Sequence, residues 1–166
     1  MKPLALLATG VWLGLLVASW IFASITFGTA SALLEPGARP ELRERLSGVP
    51  ETERRPVLRH MASEINRAMF GRWAWAQIVL GLVVMVAAVR CGVTWPAAVA
   101  CAIVLVQATL QGPILELGRS VDFLPRPLPP GLGARFGRLH GAYVLLDFAK
   151  AGALSWLAWM LARAAR

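Results

Sequence analysis

LHGAYVLLDFAKAGALSWLAWML, residues 139–161, combines two properties that rarely occur in one helix. Its length and apolar content match the roughly 20 residues that cross a bilayer core. It nevertheless carries His140, Tyr143, Asp147 and Lys150. The stretch therefore predicts a transmembrane helix, span four, whose polar groups need partners inside the protein.

Three further apolar runs have membrane-spanning length, at residues 4–34, 68–89 and 95–117. Over the whole chain, 57% of residues are hydrophobic and 16% are charged. Soluble domains have about a quarter of their residues charged. Because no run shows the alternation of a strand, we predict an all-α bundle of four transmembrane helices, with residues 1–166 forming a single integral membrane domain.

Span one, residues 4–34, also admits interpretation as a secretory signal peptide. Lys2 gives a basic start, and residues 30–32 resemble a cleavage site. The apolar part is, however, about twice the usual h-region of 7–15 residues. We therefore favour a retained anchor.

The three predicted connections differ in length and composition. Loop one, residues 35–67, contains ELRERL and RRPVLRHMASEINRAM, and we expect it to be partly helical and to run into span two. Loop two, residues 90–94, is short enough for a tight helical hairpin. Loop three, residues 118–137, contains LPRPLPPGLG, whose prolines favour an extended, stiff strap.

The net charge of +8 comes almost entirely from arginine, which supplies fifteen of the seventeen basic residues. The arginines lie between the apolar runs, which favours contacts with anionic lipids over nucleic-acid binding. Loops one and three with their flanking turns hold twelve arginines, and the termini with loop two hold three. The positive-inside rule then places loops one and three in the cytoplasm and both termini outside the inner (plasma) membrane.

Small residues recur at spacing four, which allows helices to approach closely in a membrane. Span one carries Gly10, Gly14 and Ala18, and Gly137 and Gly141 open span four. We expect them to pack helices together within the chain. A homodimer seam on span one is the alternative.

The polar residues of span four lie on one side of the helix. At 100° per residue, His140, Tyr143, Asp147 and Lys150 fall within an arc of about 80°, and Asp147 and Lys150 are spaced to pair. A charged side chain at the bilayer centre costs about 3 kcal/mol on insertion scales. We therefore expect this face to point into the bundle.

Amides on the other helices are candidate partners for that face. Gln107 and Gln111 lie four residues apart on span three, and Gln77 lies on span two. Such amides form hydrogen bonds across helices worth about 1 kcal/mol or less each. Two interpretations stay open: a buried site for a proton, an ion or a small ligand, or an internal ion pair that fixes helix register.

The histidines and cysteines indicate little cofactor chemistry. His60 and His140 lie on the same side of the predicted membrane, so a haem b group held by His140 with His60 or Lys150 is conceivable. The sequence has no HxxxH, HExxH or CxxC pattern to support a metal. Cys91 and Cys101 would lie about 15 Å apart on a helix, too far for a disulfide.

The segment ARFGRLHGAYVLLDFAKAGAL resembles the end of bacterial four-span membrane proteins of unknown function related to transmembrane protein 205. In that family a basic residue and a phenylalanine precede a His-Gly pair, which correspond here to Arg135, Phe136, His140 and Gly141. The resemblance implies a location and a fold more than a chemistry.

The sequence contains no GxSxG, Walker or GxGxxG motif that would indicate catalysis. We therefore predict a non-enzymatic membrane protein that serves as an accessory, partner-binding subunit or handles a small solute. A haem-binding membrane oxidoreductase using His140 is the alternative.

Overall fold

The computed structural model describes residues 1–33, 35, 39–125 and 127–163, and these residues form five α-helices and no strand. The predicted end of span one at Leu34, Arg126 of loop three and the terminal Arg166 lie outside the described residues. In chain order the helices are α1 (Lys2–Ala32), α2 (Pro40–Arg45), α3 (Glu51–Arg90), α4 (Trp95–Val121) and α5 (Pro130–Arg163).

Four of the helices, α1, α3, α4 and α5, are long and apolar enough to cross a membrane. Each packs against the next along the chain, and α1 packs against α5, so the four close into a ring. This is the arrangement of an up-down-up-down bundle, in which both chain termini lie at one end. The predicted all-α four-helix bundle is confirmed.

The longest helix, α3, joins loop one to span two without a break. It contains 40 residues and is therefore about 60 Å long, about twice the thickness of a hydrocarbon core. Glu51 and Glu53 occupy its first turn, where carboxylates interact favourably with the helix dipole. Its N-terminal part and the six-residue α2 are the helical portions of loop one.

The turn between α3 and α4 is stabilised by backbone hydrogen bonds and by the conformation of Gly92. The Val93 N–H donates to Ala88 O at 3.0 Å, and the Gly92 N–H donates to Val89 O at 3.1 Å. Gly92 has φ +72°, the left-handed conformation that a glycine adopts after a helix end. These two bonds give the last carbonyls of α3 hydrogen-bond partners, and α4 can begin only a few residues later.

Loop three is shorter than the extended strap predicted for residues 118–137. Helix α4 continues to Val121, and α5 already begins at Pro130, so the connection between them spans residues 122–129. Proline is compatible with the first turn of a helix, where its missing N–H would have no partner. Pro130 therefore opens α5, whereas Pro125, Pro127 and Pro129 lie in the shorter connection before it.

The end of the bundle nearest the termini and the α3–α4 turn is closed by apolar packing. Trp12, Leu16, Val84, Leu154 and Leu157 are fully or almost fully buried there. We call this the terminal end, and the opposite end, where α1, α3, α4 and α5 meet loops one and three, the loop end.

Gly81 lies where helices contact one another closely in that packed half. A Cβ at this position would lie 3.3 Å from both the Trp12 ring and Cys101 Sγ. A glycine at this position therefore allows α1 and α4 to contact α3 closely.

Candidate functional site

Midway along the bundle, polar side chains from all four membrane-spanning helices form one hydrogen-bonded group. We call it the central network; its members are Trp20 of α1, Gln77 of α3, Gln107 of α4, and Asp147 and Lys150 of α5. Because each member comes from a helix that packs against its neighbours, the network joins the entire ring.

Lys150 is the donor at the centre of the network, and its side chain is 0% exposed. The ammonium donates to Gln77 Oε1, to Gln107 Oε1 at 2.6 Å and to Asp147 Oδ1 at 2.8 Å. An ammonium has three N–H donors, so each one has an acceptor.

Asp147 balances that charge from one helical turn away. Its Oδ1 also accepts a hydrogen bond from Gln107 Nε2 at 2.7 Å, and its Oδ2 accepts one from the Trp20 indole N–H at 3.2 Å. Gln107 therefore contacts both charges with its two amide atoms. A buried ion pair is tolerated when its remaining donors and acceptors are satisfied in this way.

The central network lies about 20 Å from the terminal end, since Gln77 precedes Arg90 by 13 residues at 1.5 Å each. Seven residues beyond Trp20, Gln77, Gln107 and Asp147, towards the loop end, the helices present Phe27, Phe70, Ile114 and His140. That level is about 30 Å from the terminal end, which equals the thickness of a hydrocarbon core.

At this second level the bundle opens into a cavity of about 410 Å³, which we call the loop-end cavity. Its volume lies within the range of small-ligand sites. All four membrane-spanning helices line it, through Phe27, Arg59, Ser63, Asn66, Arg67, Phe70, Ile114, Leu115, Gly118, Val121, Asp122, Phe136 and His140.

Asn66 is the polar residue of this cavity with an unsatisfied atom. Its side chain is buried, its Nδ2 donates to Ala62 O at 3.1 Å, and its Oδ1 accepts no hydrogen bond from any residue the structure describes. A buried acceptor without a partner costs about 1–3 kcal/mol. The Oδ1 atom has almost no accessible surface, so this acceptor is enclosed by the protein and is not open to the cavity.

An ion-pair cluster forms the outer wall of the cavity. Asp122 Oδ2 lies 2.8 Å from both His60 Nδ1 and Arg67 Nη2, and Arg67 Nη1 lies 2.6 Å from Glu64 Oε1. The side chains of Asp122 and Arg67 are 6% and 10% exposed. The cluster ties the start of loop three to α3.

His60, Glu64 and Asp122 place three potential metal ligands within 4.8 Å of one another. The same Asp122 oxygen is, however, already paired with the Arg67 guanidinium, whose positive charge would repel a cation. The geometry fits an ion-pair cluster better than a metal centre.

The structure brings only part of the predicted polar face of span four into the network. Tyr143 is half-buried and contributes its backbone carbonyl, 3.3 Å from Gln107 Nε2. His140 is exposed and stacks on Phe136, with ring centroids 5.7 Å apart. Gln111 donates to Phe70 O at 3.4 Å instead of to the ion pair. His140 shares the direction of Asp147 on α5, but the bundle is open at its level.

The small residues expected to pack helices together do not do so within the chain. Gly10, Gly14 and Ala18 are exposed, and a Cβ at Gly10, Gly14, Gly137 or Gly141 would meet nothing within 4 Å. The reason is rotational: α1 turns Trp12, Leu16 and Ser19 towards its neighbours, which leaves the small-residue stripe on the surface. The homodimer seam on that stripe stays a prediction.

Trp20, Asn66 and Arg59 were not predicted as site residues. Trp20 lies well inside a span, away from the interfacial belt where tryptophan is most frequent, and this unusual depth could have indicated a polar partner. Asn66 could have been noticed as an uncharged polar residue just before span two. Arg59 could not be distinguished from the other arginines of loop one.

The chain matches no protein-family model, and no significant match is found among curated proteins or solved structures. The relationship to the transmembrane protein 205 group therefore stays a prediction. Phe136 and His140, two of the residues on which the resemblance rests, stack on each other at the wall of the loop-end cavity.

Proposed function

We propose that this membrane protein is non-enzymatic and handles a small amphiphilic solute, which it binds in the loop-end cavity. The observation that carries the proposal is the cavity of about 410 Å³ at the loop end, which all four membrane-spanning helices line. Aromatic residues line it together with arginines. Such a lining suits a molecule that has both an apolar and a polar part.

The closure of the other half of the bundle favours binding over conduction. The central network occupies the core at mid-depth, and all three N–H donors of Lys150 are used. Beyond it, the terminal end is filled by buried apolar side chains such as Trp12 and Leu157. A solute that enters at the loop end would therefore be held there, because the central network blocks its passage towards the terminal end.

The proposed location is the inner membrane, with loops one and three in the cytoplasm and both termini outside. The arginine asymmetry supports this orientation. At the terminal end, Trp95, Trp156 and Trp159 lie close together and Arg163 lies 4.0 Å above the Trp159 ring. Tryptophan and arginine in such a cluster are typical of a membrane–water boundary.

Accessory, partner-binding activity is the second candidate, and one observation favours it. Val57, Met61 and Ile65 recur at spacing four on the part of α3 that extends towards loop one, and all three are exposed. An apolar stripe of this kind can dock a protein partner. Co-purification in mild detergent tests this candidate, because Met61→Ser should release a partner bound by the stripe.

Cavity filling tests the proposed solute binding. Detergent-purified protein would be heated with a panel of charged and neutral amphiphiles, and at least one of them should raise Tm. A ligand at 100 times its Kd adds about 2.7 kcal/mol to the free energy of unfolding. Ile114→Trp should abolish that shift because it fills the cavity. Leu105→Trp is the matched control, since Leu105 is exposed on the same helix.

Two outcomes would contradict solute binding in the cavity. One is a panel in which no amphiphile raises Tm. The other is a stabilising amphiphile whose effect survives Ile114→Trp unchanged, because its binding site would then lie elsewhere.

A further inference from the structure

A groove on the outer surface of the bundle lies between α1 and α3. It has a volume of about 380 Å³ and shares no lining residue with the loop-end cavity. We call it the α1–α3 groove. Its lining is apolar apart from Arg72 and Ser19, and the Ser19 hydroxyl is already bonded to Leu16 O. The lining residues are Leu15, Ala18, Ser19, Phe22, Met69, Arg72, Trp73 and Ala76.

Arg72 carries a charge that neither helix of the groove neutralises. It forms no ion pair among the residues that the structure describes. Helix α1 contains no acidic residue, and α3 contains none between residues 65 and 90. The Arg72 guanidinium donates to Ala68 O at 3.2 Å. Because a guanidinium has five N–H donors, most of them remain available to an acceptor from outside the protein.

The depth of Arg72 corresponds to the edge of the membrane core. Arg72 precedes Arg90 by 18 residues, so it lies about 27 Å from the terminal end. A hydrocarbon core is about 30 Å thick. The bond to Ala68 O directs the guanidinium one turn further towards the loop end. The cation is therefore placed where the phosphates of the lipid layer begin.

The α1–α3 groove runs from that boundary into the core. Leu15 lies five residues from Trp20 towards the terminal end, which is about 8 Å closer to that end than the central network. The groove therefore extends through the loop-end half of the core, a depth of about 15 Å. This is the depth that the acyl chains of one leaflet occupy.

Trp73 provides a hydrogen-bond donor just inside the boundary. Its side chain is 8% exposed, and its indole N–H donates to no residue that the structure describes. The unpaired atoms that are fully enclosed belong to Trp12 and Asn66, so the Trp73 N–H retains accessible surface. Tryptophan at a membrane boundary typically has an apolar body and a polar N–H that needs an acceptor. The ester carbonyl of a phospholipid is an acceptor at that depth.

We propose that the α1–α3 groove binds one anionic phospholipid of the loop-end leaflet. Its phosphate contacts Arg72, an ester carbonyl accepts from the Trp73 N–H, and an acyl chain lies along the groove. The three protein features follow one another from the boundary inwards in the same order as the three parts of the lipid. A head group with one net negative charge balances Arg72, whereas a zwitterionic head group does not. Basic sites between membrane helices commonly bind anionic lipid head groups.

Native mass spectrometry of the full chain, released from detergent with added lipid, tests the contact with Arg72. Phosphatidylglycerol should bind about fivefold more tightly than phosphatidylcholine of the same acyl chains, through the charge of one basic residue. Arg72→Gln should remove this preference by weakening phosphatidylglycerol binding about fivefold. Arg72→Lys should retain most of the preference. Arg138→Gln is the matched control, because Arg138 is exposed on α5 and lines neither the groove nor the loop-end cavity.

A second pair of variants tests the contact with the acyl chain. Ala18→Trp fills the groove and should weaken the binding of both lipids at least fivefold, because their acyl chains are the same. Val17→Trp is the matched control, since Val17 is the adjacent exposed residue and does not line the groove. A Tm measured for each variant separates loss of binding from loss of folding. If Ala18→Trp does not fold, the smaller Ala18→Leu replaces it.

Four results would overturn the inference. Two are equal affinity of the unchanged protein for both lipids, and phosphatidylglycerol binding that Arg72→Gln leaves unchanged. The third is binding lost in Ile114→Trp but kept in Ala18→Trp, which would place the lipid in the loop-end cavity. The fourth is a lipid-free dimer that Ala18→Trp separates into monomers, which would assign the groove to a second copy of the chain. Binding in the α1–α3 groove and solute binding in the loop-end cavity can therefore fail independently.

Discussion

Lys150 Nζ lies 2.8 Å from Asp147 Oδ1, one helical turn away on α5, and both side chains are enclosed by the other three membrane-spanning helices. Breaking one member of such a pair leaves an uncompensated charge, which costs more than the pair contributes. The bundle therefore has one rotational arrangement of α5 in which both charges are satisfied, which makes the pair a determinant of helix register.

Gln107 should be much more sensitive to substitution than Gln111, although both are glutamines one turn apart on α4. Gln107→Leu removes hydrogen bonds to both Asp147 and Lys150. Since bonds between membrane helices are worth about 0.6–1.7 kcal/mol each, the free energy of unfolding should fall by about 1–3 kcal/mol. Gln111→Leu removes one long bond to Phe70 O and should change it by less than about 0.5 kcal/mol.

Unfolding of the two variants in mixed detergent micelles, followed by tryptophan fluorescence, measures this difference. Equal destabilisation by the two substitutions would contradict the assignment of Gln107 as the amide that contacts both charges.

Gly81 and Gly14 should respond in opposite ways to a larger side chain. Gly81→Val places new methyl groups against Trp12 and Cys101 and should destabilise the protein by about 1–3 kcal/mol through overpacking. Gly14→Val meets open space and should leave the stability within about 0.5 kcal/mol. Thermal unfolding of both variants in the same detergent compares them.

Gly14→Val also tests the small-residue seam, because size-exclusion chromatography with light scattering would show a change from dimer to monomer. A Gly81→Val protein as stable as the unchanged chain would show that α1 and α3 do not approach closely at this level.

Asp122 should hold the start of loop three against α3. Asp122→Ala removes the shared partner of His60 and Arg67 and should destabilise the protein by about 1–3 kcal/mol. It should also speed proteolysis within residues 122–129. Glu116→Ala is the control, because Glu116 is exposed on α4, six residues before Asp122. Cleavage at equal rates in both variants would show that the ion-pair cluster does not restrain this connection.

A haem group requires ligands that the protein leaves free for it. Lys150 Nζ is fully hydrogen-bonded, so it is not free to bind a haem iron. Under the solute-binding proposal, purified protein supplemented with haem should show no stoichiometric Soret band in its absorption spectrum. A stoichiometric band abolished by His140→Ala would instead support the oxidoreductase alternative.

The bundle could be predicted from the sequence because it depends on properties of single segments. Hydropathy and length alone indicate four membrane helices. The periodicity of one helix likewise places Asp147 and Lys150 on the same face. Proline content was a weaker guide, because proline is compatible both with an extended strap and with the first turn of α5.

The parts that could not be predicted depend on how separate helices are placed relative to one another. The bond from Trp20 to Asp147 joins residues 127 positions apart and requires the rotation and depth of α1 to be known. The same rotation puts Gly10 and Gly14 on the surface, although their spacing is typical of a packing face. The loop-end cavity arises from four helices together and has no signature within any one of them.

The central claim is that Asp147 and Lys150 act as a structural pair, and a double-mutant cycle tests it most directly. Asp147→Asn, Lys150→Met and the combined variant would be unfolded in mixed micelles beside the unchanged protein. Each single substitution should cost about 3 kcal/mol, and the combined variant should be more stable than either single one. Single variants of unchanged stability, or a combined loss equal to the sum of the two, would contradict the claim.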